Sequence, residues 1–152
     1  MTEDPHPRIL LTSDPHSGLR TIHDLTQAIG RPGIAHDLWR AIQVQADNHL
    51  RTDPIDVYTP LPGRSPADLE KGNREYIVVN AAGQRVLVSA LAALMTDDER
   101  YVDAAVEQID CLLDAQAWPE WQDIFHREKL GFDADLRTGQ LVRDISLAYD
   151  WL

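Results

Sequence analysis

The chain has 152 residues, 43% of them apolar, a formal net charge of −11 and a pI near 4.8. One domain of this length buries about 70% of its unfolded surface, and the apolar share excludes wholesale disorder. The acidity argues against nucleic-acid binding and against adhesion to an anionic membrane.

Residues 1–13 read as extended, because Pro5 and Pro7 keep their predecessors out of the helical region. Ile9, Leu10 and Leu11 form a short apolar anchor. Thr12, Ser13 or Asp14 is placed to cap a first helix, with Pro15 in its opening turn. Leu19, Ile22, Leu25, Ala28 and Ile29 would be its buried stripe, and Gly30-Arg31-Pro32-Gly33 its end. A second helix carries Leu38, Trp39, Ile42, Val44, Ala46 and Leu50. Residues 51–72, with four prolines and two glycines, read as a long surface loop.

A third helix is predicted from about Asn73 to Met95, on the repeat Tyr76, Val79, Ala82, Val86, Ala90, Leu91 and Leu94. Val78, Leu87 and Val88 add apolar groups on other sides, and Gly83 permits close helix contact. The β-prone Ile77-Val78-Val79 lies inside this helical repeat, and no β-alternation of consequence occurs. Thr96 or Asp97 starts a fourth helix with the stripe Tyr101, Val102, Ala105, Val106, Ile109, Leu112 and Leu113. The intervening turn is short, so the two are antiparallel neighbours. A second loop covers 117–134. A fifth helix, capped by Asp135, buries Leu141, Ile145, Ala148, Tyr149 and Leu152. No terminating signal follows Trp151 and Leu152, so the chain reads as the front part of a longer protein, with apolar surface left bare and self-association expected.

The expected fold is therefore all-α, built of antiparallel helix hairpins. No stretch approaches the ~20 apolar residues of a membrane span. The start, Met1-Thr2-Glu3-Asp4-Pro5-His6, lacks the basic and apolar regions of a secretory signal, so a cytoplasmic location fits; a periplasmic or secreted one fits if the N-terminus was trimmed. The single Cys111 excludes an intrachain disulfide and reads as a small buried hydrophobe. The six histidines show no metal spacing, and no phosphate loop or nucleophile elbow appears, so neither metal nor cofactor is expected.

His6-Pro7-Arg8-Ile9-Leu10-Leu11-Thr12 resembles the "HPRLLFT" start of the heparinase II/III-like polysaccharide lyases. Leu91 to Tyr101, reading LAALMTDDERY, is similar to that family's "LAYLLTGDERY" helix-turn-helix. Ser146-Leu147-Ala148-Tyr149-Asp150-Trp151-Leu152 resembles its "LALAYDWL" helix end, and Trp118-Pro119-Glu120-Trp121 stands where the family has a tryptophan-bearing loop. Asp97 departs from the usual glycine, which touches turn geometry. The resemblance implies a partial (α/α) toroid at the N-terminus of an enzyme that cleaves uronic-acid polysaccharides by β-elimination. The family's neutralising and acid–base residues match no position here, so the resemblance implies scaffold and cleft wall, inactive alone.

Within the 117–134 loop, Trp118 and Trp121 are candidates to stack on sugar rings, beside Phe125. His126 and Arg127, with Lys129, form a basic cluster able to meet a uronate carboxylate, offset by Glu128. The alternative readings are tryptophans that merely pin the loop to the core and charges that are merely solvated. Arg143 and Asp150 are too far apart for the usual helical pair. Two rival functions remain open. A helical-hairpin interaction module would show a repeat of about 34 residues, which the two loops break. A toroidal glycoside hydrolase would need a matched carboxylic acid/base pair, which the loops do not offer.

Overall fold

A computed structural model describes residues 6–72 and 75–152. The fold is all-α, with seven helices among the described residues: α1 Ile22–Ile29, α2 Ile34–His49, α3 Pro66–Lys71, α4 Tyr76–Thr96, α5 Glu99–Leu113, α6 Ile124–Leu130 and α7 Leu136–Trp151. The helical repeat through Val79, Ala82, Val86 and Ala90 puts α4 at the centre, where α7, α5 and α2 pack around it. Val57, Val78, Val79, Ala82, Val86, Ala90, Ala105, Leu112, Trp118, Leu141 and Ala148 form one core. A smaller cluster of Ala46, Ala92, Ala93 and Tyr101 joins α2 to the α4–α5 hairpin. So many alanines at the contacts let the helix axes approach closely. By length and composition α4 could cross a membrane, against the expectation from sequence. It is the core helix here, and it buries Arg85 in the fold.

Several boundaries differ from expectation. The first helix does not start near Pro15. Asp14 closes a local turn on the His16 N–H at 2.8 Å, Gly18 has φ +77°, and Thr21 caps α1 through a reciprocal box with Asp24. That leaves Leu19 exposed outside the helix. Leu11–Thr12 and Arg20–Thr21, labelled β1 and β2, form a two-residue parallel bridge across this turn. The loop at 51–72 contains α3, which Ser65 caps against Asp68 with Pro66 in its first turn. The start expected near Asn73 lies outside the described residues; α4 begins at Tyr76.

Asp98, not Thr96 or Asp97, caps α5. Asp97 instead takes the left-handed conformation, φ 57°, that ends α4, the role a glycine usually fills. The second loop contains α6 between the Asp123 cap and Gly131, φ 66°. Asp135 caps α7 as expected.

The inward face of α7 is also rotated from the one predicted. Leu141, Asp144 and Ala148 are buried, with Asp150 beside them, whereas Tyr149 is 78% exposed and not core. Two buried carboxylates thus occupy positions that polarity alone assigns to solvent. Asp144 Oδ1 accepts from Arg143 and its carboxylate lies against Gly83, and burial pushes its pKa up. Asp150 accepts from the N–H groups of Arg8 and Ile9 at 2.8 and 2.7 Å and from His6 Nδ1 at 2.9 Å. Burial alone would raise its pKa; those hydrogen bonds outweigh it and lower it. Trp151, expected to be bare, is half-buried and donates to Ile9 O at 3.2 Å.

Candidate functional site

The candidate site is the segment from Trp118 to Asp135, carried between α5 and α7. The Trp118 ring is 3% exposed, and its indole N–H donates to Ile55 O at 3.0 Å. The Trp121 indole donates to Leu112 O at 2.8 Å. Both tryptophans therefore fix the loop to α5 and to the 51–65 segment through their polar edge. Their remaining surface contributes, with Pro119, Glu120, Gln122, Asp133 and Thr138, to an open cavity of about 430 Å³. The size is within the range that takes a small ligand. Its polar side chains are acidic or neutral.

The basic residues lie outside that cavity's lining. Arg127 pairs with Glu120, so its charge is spent at the rim. His126 Nδ1 donates to Asp135 Oδ2 at 2.8 Å. The same oxygen accepts from Asp123 N–H at 2.9 Å and from Arg137 at 3.2 Å, while Oδ1 accepts from the N–H groups of Arg137 and Thr138. Burial by itself would raise the Asp135 pKa. The converging hydrogen bonds win and hold the carboxyl far below the usual carboxylate range. Asp135 is thus the hub that ties α6 to the start of α7. The Arg137 guanidinium lies 5.5 Å from the Tyr76 ring centroid and 3.4 Å from Asp123, extending the tie to α4.

Trp118 and Trp121 accordingly come together on one cavity, and His126 and Arg127 stand on its flank, engaged in hydrogen bonds. One feature was missed. Lys71, at the end of a helix not foreseen, lines a second cavity together with Phe125, which is 58% exposed. The signal for Lys71 was in plain view: the chain has two lysines, Lys71 and Lys129.

A separate joint gathers the chain's two ends. His6, Pro7, Ala93, Leu94, Asp97, Glu99, Val102, Trp151 and Leu152 surround about 260 Å³. Arg8 donates to His6 Nε2 at 3.0 Å, which leaves Nδ1 carrying the proton given to Asp150. Elsewhere, the buried Arg85 guanidinium donates to Thr52 Oγ1, Thr52 O and His49 O, the carbonyls just past the end of α2. The His49 ring bonds Ser89 Oγ at 3.3 Å, and burial together with the Arg85 charge lowers its pKa to about 4. Ser89 is fully buried, and among the described residues no carboxylate orients His49, so the pair lacks the geometry of an activated nucleophile. Among the described residues no group of three or more His, Cys, Asp or Glu side chains is placed to hold a metal ion.

Compared with known proteins, the chain matches no family model, no curated protein and no solved structure.

Proposed function

We propose that this chain is helical scaffold of a heparinase II/III-like polysaccharide lyase, part of an (α/α) toroid that forms one wall of a cleft for uronic-acid polysaccharide. The observation that carries the reading is where the resembling segments meet. His6 and Pro7 come from the first, Asp97 and Glu99 from the second, Trp151 and Leu152 from the third, and all line one cavity. Asp150, in the third, accepts the backbone N–H groups of Arg8 and Ile9 from the first. Three short matches arising by chance, more than forty residues apart, have no reason to converge. Residues that specify one another across a joint do.

On this reading Trp118 and Trp121 present ring surface to sugar, with His126 and Arg127 beside them. The elimination chemistry belongs to residues that this chain does not contain. The test is a titration with tetramers of galacturonate, mannuronate and guluronate, followed by tryptophan fluorescence and calorimetry. Saturable binding of at least one, without formation of the ultraviolet-absorbing unsaturated product, is expected. No binding of any of them sinks the reading. Turnover would sink the claim that the catalytic groups lie elsewhere.

A further inference from the structure

Twelve of the fourteen basic side chains are arginines, and most of those described are bound to something. Arg64, Arg100, Arg127, Arg137 and Arg143 pair with carboxylates, and Arg85 with carbonyls. The two lysines, like Arg20 and Arg40, have no such pairing among the described residues. Lys71 ends α3 and Lys129 lies in the last turn of α6, 58 positions later, and neither has a carboxylate partner among the described residues. Both line the same open cavity of about 260 Å³, with Asp123, Ile124, Phe125 and Glu128. A preference for cations at helix C-termini explains a lysine in each last turn. It does not explain why both line one cavity together with an exposed phenylalanine.

The lining discriminates among ligands. Asp123 is committed: its carboxylate caps α6 through Phe125 N–H and His126 N–H and lies near Arg137. Glu128 offsets one ammonium. What is left is Ile124, one aromatic side chain and two ammonium groups that balance Asp123 and Glu128 in formal charge, in a chain of net charge −11. The volume, about 260 Å³, is just below the usual range for a ligand pocket and suits no more than a single ring. An aromatic face stacks on a pyranose, and two flexible ammonium groups match a carboxylate without demanding the planar fork of an arginine.

We infer that the cavity between α3 and α6 is a subsite for one uronate unit, its ring on Phe125 and its carboxylate between Lys71 and Lys129. The nature of the ligand rests on the proposed function; the place and the residues are independent of it. The carboxylate anchor is then this lysine pair, and not His126 and Arg127, whose polar atoms are already engaged.

The test uses the whole chain, with tetragalacturonate and its methyl ester, which keeps the ring and removes the charge, and with tetramannuronate as a second acid. Affinity is read by calorimetry, position by amide chemical shifts. The acid should bind more tightly than the ester and shift the amides of Ile124 to Lys129. Lys71→Met and Lys129→Met should each weaken the acid about three- to ten-fold, as loss of one partly exposed charge-assisted contact does, and leave the ester unchanged. Glu128→Gln should tighten the acid, an effect in the opposite direction that no loss of folding would produce. Lys71→Arg/Lys129→Arg should keep the preference for acid. Equal binding of acid and ester, or acid binding that shifts only the Trp118 and Trp121 region and ignores the lysine variants, overturns this subsite and leaves the saccharide reading standing. Absence of binding by every probe overturns both.

Discussion

Gly83→Ala is the substitution whose sign depends most directly on the packing described here. In the middle of an exposed helix the change would stabilise by about 1 kcal/mol, because glycine loses the most backbone entropy on folding. In α4 an ideal Cβ at position 83 would stand 2.2 Å from Asp144 Oδ2 and 3.2 Å from its Cγ. An ordinary carbon–oxygen contact needs about 3.3 Å or more, so the carboxylate must move by about an ångström or α4 and α7 must part. Asp144 is 1% exposed, and its other oxygen accepts from Arg143 at 2.5 and 2.7 Å. Overpacking costs about 1–3 kcal/mol, and loosening the charge-assisted hydrogen bond adds about 1–2 kcal/mol. The net expectation is destabilisation by about 1–4 kcal/mol, read as a lower urea midpoint by far-ultraviolet circular dichroism at unchanged slope. In an Asp144→Ala background the obstacle is gone, and the same Gly83→Ala should stabilise by about 1 kcal/mol. A double-mutant cycle therefore reverses sign, which few structural hypotheses predict. If Gly83→Ala alone raises the midpoint, the close approach of α4 and α7 at this point is wrong.

Asp150→Ala should cost about 1–3 kcal/mol by stranding the Arg8 and Ile9 N–H groups, and hydrogen exchange should show protection lost at those two amides while the centre of α4 stays protected. His49 should make the protein acid-labile. Its folded pKa is lowered from 6.5 to about 4, so between those values the unfolded chain binds the extra proton and stability falls as pH falls through that window. The full shift would correspond to about 3 kcal/mol; because His49 is only partly buried, about 1–2 kcal/mol is the discounted expectation. His49→Gln should flatten that part of a stability–pH curve, and an unchanged slope would refute the assignment. Ile34 and Leu38, one turn apart on α2, are 80% and 60% exposed, and Val44 further along is 60% exposed. Concentration-dependent light scattering that Leu38→Glu reduces is expected, and a clean monomer at all concentrations would count against it.

The parts of the fold legible in the sequence are those governed by local periodicity. The repeat through Val79, Ala82, Val86 and Ala90 identified the central helix, and Asp135 identified the start of the last one, because capping chemistry acts within three residues. What stayed hidden depends on partners far along the chain. Asp144 and Asp150 look like solvent-facing residues until Gly83 and the Arg8–Ile9 backbone are set against them. With those two positions read as polar face, the stripe was rotated toward Tyr149, which is exposed. Helix α6 was lost for another reason: seven residues are too few to show a period, and its signals are only the caps Asp123 and Gly131. Of the candidate site, the tryptophan pair was visible as composition. The convergence of Lys71 with Lys129 was not, since no local rule connects α3 to α6.

The two halves of the functional reading rest on different physics. The residues that carry the resemblance do packing work: Asp150 terminates the free N–H groups of an extended segment, Trp151 covers it, and Asp97 supplies a left-handed turn. Such residues can specify a scaffold and say nothing about its ligand, because scaffolds host unrelated chemistries. The ligand must be argued from surface that packing does not require. Trp118 and Trp121 are largely consumed by packing, through two indole hydrogen bonds to backbone carbonyls, and Arg127 and His126 by pairing. Phe125, Lys71 and Lys129 are not consumed. A phenyl ring more than half exposed and two ammonium groups with no carboxylate partner among the described residues take little part in packing. Surface chemistry that folding does not use is where a ligand has to be sought, which is why the proposed subsite is placed on the Lys71–Lys129 cavity and not on the tryptophan cavity.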